Sequence, residues 1–162
     1  MLRENLKAEI ESLIAMYPER RAALIMALHA VQRDKGFLSP GDFSELAEIF
    51  DEHPAEIQSV ASFYEMFRQK PAGKNIIAVC TNISCMLNGS DEIVGHLKKV
   101  LGIDFGETTS DGMFTLMKSE CLAACDMAPA IAINGEYFGP VTPEIIDRLL
   151  DERRDIRDKN DL

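Results

Sequence analysis

Residues 119–144 read SECLAACDMAPAIAINGEYFGPVTPE, and the fold turns on this stretch. Cys121 and Cys125 stand at its start. Ala130 to Ile133 is an apolar, β-branched run that predicts a strand. Asn134-Gly135 is the dipeptide favoured in two-residue hairpin turns, whose central positions both take positive φ. Tyr137-Phe138 completes the hairpin. Thr142-Pro143 then starts a helix whose apolar face carries Ile145, Ile146, Leu149 and Leu150. The stretch thus predicts a cysteine loop, a hairpin and a helix, in that order.

Upstream, residues 78–90 read AVCTNISCMLNGS and hold the other two cysteines, Cys80 and Cys85. The continuous apolar run Ile76-Ile77-Ala78-Val79 predicts a buried strand that ends at Cys80. Cys85 is expected in the segment before a helix capped by Ser90, with Ile93, Val94, Leu97, Val100 and Leu101 facing inward and Gly102 at its C-terminal end. Phe114 to Met117 predicts a second strand, leading to Cys121. The succession βα, β, ββα over residues 73–150 describes a reduced thioredoxin-like α/β sandwich with a four-stranded sheet.

Residues 1–72 have a different period. Leu6, Ile10, Leu13, Ile14 and Tyr17 make one apolar stripe at helical spacing, ended by Pro18. Leu24, Ile25, Leu28 and Val31 restart it as far as Gly36. Ser39-Pro40 opens a third helix, with Phe43, Leu46, Ala47 and Phe50 on its buried side, and Pro54 opens a fourth, with Ile57, Val60, Ala61 and Tyr64. The expected class is α+β, an N-terminal four-helix bundle followed by the sandwich, with the boundary at Pro71-Ala72-Gly73. Residues 151–162 are charged almost throughout and are expected to form a flexible tail.

The 162 residues include 17 basic and 27 acidic side chains, a formal net charge of −10. Such a balance argues against nucleic acid, which needs a basic face to displace phosphate counterions, and against docking on anionic lipid. The first 21 residues are charged throughout and lack the apolar core of a signal peptide, and Glu4, Glu9 and Glu11 are foreign to transit peptides. No run approaches the ~20 apolar residues of a membrane span. A cytoplasmic setting follows as the expectation.

In that setting four cysteines suit metal ligation or thiol chemistry better than structural disulfides. The spacings are C-x4-C and C-x3-C, with each pair placed in a loop at the end of a predicted strand. Structural zinc favours C-x2-C pairs, and a thioredoxin-type redox site needs C-x-x-C at a helix start. The looser spacing favours two irons bridged by sulfide, although the plant-type ferredoxin pattern is not met. Spacing alone leaves 2Fe–2S, zinc and redox thiols all standing. A zinc-stapled protein-interaction module is the rival from another class.

Residues 78–90 and 119–144 resemble the thioredoxin-like 2Fe–2S ferredoxin family. VASFYEMF, residues 60–67, is similar to the matching helix of one branch, the E-type (24-kilodalton) subunits of NADH-quinone oxidoreductase, respiratory complex I. The resemblance implies that Cys80, Cys85, Cys121 and Cys125 are the ligands of one 2Fe–2S cluster. It implies an electron-transfer subunit of the NADH dehydrogenase module, inactive alone, with FMN and NADH on a flavoprotein partner and a larger iron–sulfur subunit beside it. It also implies a place peripheral to the cytoplasmic side of the inner membrane. The same module recurs in NAD-linked hydrogenases and formate dehydrogenases, so those assemblies are the alternative.

The remaining chemistry-bearing residues read as ordinary structure. His29, His53 and His96 scatter over predicted helices or their edges. Most of the eight methionines are read as gap-filling core residues. Met86 and Met127, beside ligands, are expected to shield the cluster from water. Phe63, Tyr64 and Phe67 serve as core or as a docking face for the flavoprotein. No dinucleotide or phosphate-loop fingerprint is present, so no catalytic residue is expected.

Overall fold

The apolar stripe near the N-terminus folds as α1 (Glu4–Ile14), which buries Leu6, Ile10 and Ile14. The computed structural model describes residues 1–160, with side chains through residue 154. The chain divides into two compact units, Met1–Pro71 and Ala72–Leu162.

In the first unit α1 stops before Pro18, so Tyr17, expected on the buried stripe, lies beyond the helix and is 38% exposed. A 3₁₀ turn, Arg20–Ala23, leads into α2 (Leu24–Lys35), which Gly36 closes in the left-handed conformation at φ 84°. α3 (Pro40–Phe50) begins with a capping box. The Asp42 carboxylate accepts the Ser39 backbone N–H at 2.8 Å and the Ser39 hydroxyl at 2.6 Å. α4 (Pro54–Phe63) buries Ile57 and Ala61 but leaves Phe63 79% exposed. α1 packs on α2, α3 on α4, and α2 on α4. One hydrophobic core runs through them, including Ile10, Leu28, Leu46, Ile57 and Phe67. Each such side chain contributes about 1.5–3 kcal/mol when fully buried.

The second unit is a mixed helix-and-sheet fold in the order β1 (Asn75–Cys80), α5 (Ile83–Leu87), α6 (Ser90–Leu101), β2 (Phe114–Ser119), a 3₁₀ turn (Cys125–Met127), β3 (Ile131–Ile133), β4 (Glu136–Phe138) and α7 (Pro143–Asn160). The four strands form one sheet in the order β2-β1-β3-β4. β1 runs parallel to β2 and antiparallel to β3, and β3–β4 is the hairpin, with Asn134 at φ 51° and Gly135 at φ 85°. Ile77, Val79, Leu116, Ile131 and Ile133 share a core with Ile93 and Leu97 of α6 and Ile146 of α7.

The structure corrects further expectations here. Cys85 does not sit in a loop: Asn82 caps the short α5, whose five residues carry it. Ser90 is not the cap of α6, because Gly89 occupies that place in the left-handed conformation (φ 93°) and Ser90 becomes the first helical residue. Val100, expected inward, is 39% exposed in the last turn of α6, where Leu101 instead packs against the core. α7 does not end at Leu150 but continues to Asn160. Its Glu, Arg and Lys residues are good helix formers, and Arg153 pairs with Glu136 at 2.5 Å while its guanidinium stands over the Phe138 ring. The last two residues of the expected tail lie outside the described residues.

Candidate metal centre

The parallel register of β1 and β2 ends with Cys80 opposite Ser119, so the two strands finish together. The segments that follow therefore leave from one edge of the sheet. Thr81 stitches them together, its backbone N–H reaching the Ser119 carbonyl at 3.0 Å and its hydroxyl the same oxygen at 3.2 Å. One residue on, the Asn82 side chain accepts the Ile83 N–H at 2.9 Å and starts α5, which brings Cys85 back toward the strand end. Cys121 lies two residues beyond β2 on the neighbouring segment. Cys125 begins the 3₁₀ turn, and five residues later the Ala130 carbonyl accepts the Cys80 N–H at 3.1 Å.

The four cysteines are free thiols, in two environments. Cys80 and Cys85 are buried, 3% and 2% exposed, in a small cluster with Ala130, against which Leu122, Ala124 and Ala128 pack. Cys121 and Cys125 are exposed. Burial pushes the Cys80 thiol up, but the backbone N–H groups of Asn82 and Leu122 and the thiols of Cys85 and Cys121 outweigh it, leaving Cys80 below the ordinary thiol range. Burial pushes Cys85 up. The Ala130 N–H opposes this, but the hydrogen bond with Cys80 and charge repulsion from the neighbouring thiols add to it, and the Cys85 thiol stays above its ordinary value. Ala123, at a left-handed φ of 56°, donates its N–H to the Cys121 sulfur at 3.3 Å.

The structure thus brings the four cysteine segments together, with Cys80 under the influence of the Cys85 and Cys121 thiols and Cys85 within electrostatic reach of Cys125. Among the described residues, no three or more His, Cys, Asp or Glu side chains converge as ligands of a single metal ion, whereas a 2Fe–2S group is held by four cysteines shared between two irons. The histidines are engaged elsewhere. His29 lies against Phe67 with ring centroids 4.8 Å apart, the His53 ring accepts the Ala55 N–H at the start of α4, and His96 bonds Asp147 at 2.7 Å. Met86, expected as a shield, is 48% exposed, and its neighbours Ile83 and Leu87 in α5 are 62% and 77% exposed. Met127 is half-buried.

The residues that shape the site are harder to see in the sequence than the cysteines. Asn82 ahead of an apolar residue is a cap signal, but the five residues that follow are too few to show a helical period. Ala123 and Ala130 act through backbone geometry, which side-chain identity does not announce, and Thr81 acts through its N–H as well as its hydroxyl.

The thioredoxin-like 2Fe-2S ferredoxin family matches residues 10–154, and the chain belongs to that family. Membership implies an iron–sulfur cluster. Similarity extends to the E-type subunit of NADH-quinone oxidoreductase from Mycobacterium tuberculosis, 42% identical over 150 residues, and the chain spans 60% of that relative's length. A second E-type subunit of the same oxidoreductase, from Rhizobium meliloti, is 40% identical over 93% of this chain and 89% of the relative. Among solved structures, the crystal structure of an air-oxidized NAD+-reducing NiFe hydrogenase superimposes with a TM-score of 0.70. It is 28% identical, over 81% of this chain and 22% of that one. The donor set fits the group the family implies. Four thiols stand on adjoining segments, and backbone N–H groups are directed at sulfur, where they stabilise negative charge.

Proposed function

We propose that Cys80, Cys85, Cys121 and Cys125 hold one 2Fe–2S cluster, and that the chain is the electron-transfer subunit of an NADH-quinone oxidoreductase. The observation that carries this reading is the in-register end of β1 and β2 at Cys80 and Ser119, which sends all four cysteine segments to one edge of the sheet. A 2Fe–2S group supplies one-electron exchange when bound. The chain's own residues do the rest. Cys80 and Cys85 provide buried thiolates, the N–H groups of Asn82, Leu122, Ala123 and Ala130 stabilise charge on sulfur, and Leu122, Ala124 and Ala128 exclude water from the buried side. The exposed Cys121 and Cys125 leave the opposite side open to a redox partner.

That partner is a flavoprotein subunit carrying FMN and NADH, with a larger iron–sulfur subunit alongside, in an arm peripheral to the membrane. Among the described residues no helix is long and apolar enough to cross a membrane. NADH gives up two electrons as a hydride, whereas a flavin accepts the pair and releases electrons singly. The helical unit serves partner docking through the exposed Phe63 and the groove of about 380 Å³ beside it, lined by Arg21, Ile25, Val60 and Tyr64. A second assembly, an NAD-linked hydrogenase, draws support from the superposition on the NAD+-reducing hydrogenase. Co-expressing the chain with candidate flavoprotein subunits tests the reading. It predicts a stable pair in which NADH changes the visible spectrum assigned to the chain's cluster. A chain that forms no pair with any FMN-binding subunit refutes the assignment.

A further inference from the structure

We propose that Gly139, in the connection between β4 and α7, is the positioning residue that sets the place of Cys125. The importance of that place for a cluster rests on the reading of Cys125 as a ligand. A Cβ built on Gly139 would clash with the carbonyl oxygen of Met127 and stand 2.8 Å from the Met127 Cβ and 3.0 Å from its carbonyl carbon. Real Cβ atoms do not approach backbone so closely. The requirement is steric rather than conformational, because Gly139 is not among the glycines with positive φ. Its lack of a side chain lets two backbones lie in direct contact.

Met127 closes the 3₁₀ turn that Cys125 opens. The Met127 N–H returns to the Ala124 carbonyl at 3.1 Å, and the Ala128 N–H reaches the Cys125 carbonyl at 3.4 Å. Pushing Met127 away therefore drags Cys125 with it. Two residues past Gly139, the Val141 N–H bonds the Pro129 carbonyl at 3.0 Å, and Cys80 bonds Ala130 from β1. The segment from Cys125 to Ala130 is thus clamped between the central strand and the β4–α7 connection, with Gly139 as the tightest point of the clamp.

Gly73 supplies a control at a remote place. A Cβ there would stand 2.9 Å from the backbone N and C of Phe114, a milder clash with backbone than the one at Gly139. It falls at the start of β2, at the opposite end of the strand from the cysteines.

The test uses the full-length chain in two states. In metal-free protein, the alkylation rates of Cys125 and Cys121 by iodoacetamide are measured by peptide mass spectrometry. Gly139→Ala is expected to raise the Cys125-to-Cys121 rate ratio several-fold, while Gly73→Ala lowers the melting temperature and leaves the ratio unchanged. In anaerobically loaded protein, Gly139→Ala is expected to release iron several-fold faster and to alter the paramagnetic spectrum after reduction. If Gly139→Ala does not give a cooperative melt, Met127→Gly replaces it. That change removes the Cβ on which Gly139 packs, introduces no clash, and should also raise the ratio. An unchanged ratio in the folded variant, or an equal rise in Gly73→Ala, overturns the role of Gly139. Wild-type protein that carries no iron refutes the ligand reading instead, and the thiol ratio still decides whether Gly139 sets Cys125.

Discussion

Thr81 and Ser119 join the two cysteine segments at their root, through two hydrogen bonds from one residue to one carbonyl, at 3.0 and 3.2 Å. The strands beneath them are parallel and in register, so this link fixes the spacing of the segments above. Replacing Thr81 by Val keeps the backbone bond and the shape but removes the hydroxyl. The expected cost is about 0.5–1.5 kcal/mol of stability, with faster release of iron from loaded protein. Urea melts of the metal-free and loaded forms would measure both.

Asn82 caps the short helix that presents Cys85. Asn82→Ala removes that cap and is expected to destabilise the segment by about 1 kcal/mol, while Asn82→Asp retains an acceptor and should behave nearly as wild type. Amide exchange across α5 is the measurement. Equal exchange in Asn82→Ala and wild type would show that Cys85 is held by other contacts.

Asp42, 1% exposed at the start of α3, predicts an acid-sensitive helical unit. Burial pushes its carboxyl up. Hydrogen bonds from Lys35 and from the Ser39 hydroxyl and backbone N–H outweigh that and hold it below the ordinary aspartate value. A lowered native pKa means that the unfolded chain binds the proton more tightly. The contribution is therefore fully present above the ordinary pKa of about 4 and is lost as pH falls through the lower native value. Asp42→Asn is expected to cost about 1–3 kcal/mol at pH 7 and to flatten the acid limb of a stability-versus-pH curve measured by urea unfolding. An acid limb as steep in Asp42→Asn as in wild type would assign the sensitivity to other carboxylates.

Phe63, the last residue of α4, is 79% exposed and borders the apolar groove of the helical unit. Phe63→Glu therefore removes little buried surface and should leave the melting temperature within a degree or so of wild type. On the docking role given to this unit, the same change should abolish co-purification with the flavoprotein subunit. Retained binding would move the docking surface elsewhere.

The sheet was legible because its strands are written in residues with few alternatives. The β-branched run before Cys80 and the Asn134-Gly135 turn each name one backbone conformation, and both positive φ angles are present. Gly36 and Gly102 likewise close α2 and α6 where expected. The cysteines were legible as a set because strand ends and cysteines coincide. What the sequence hid was set by neighbours distant along the chain. Tyr17 and Val100 fit a helical stripe by spacing, yet each lies in or just beyond the last turn of its helix. Gly139 looks like a loop residue until Met127 is seen against it. The continuation of α7 past Leu150 is hidden because apolar residues give out there, although helix propensity and the Arg153–Glu136 pair do not.

The most direct test of the account is metal analysis of the full-length chain purified without oxygen, together with the four single Cys→Ser variants at positions 80, 85, 121 and 125. Wild-type protein is expected to hold about two iron and two acid-labile sulfide per chain, with a visible spectrum that bleaches with dithionite and a paramagnetic signal on reduction. Each of the four variants should lose or destabilise that centre. One zinc per chain with no iron, or a variant that keeps an unchanged spectrum and iron content, would contradict it.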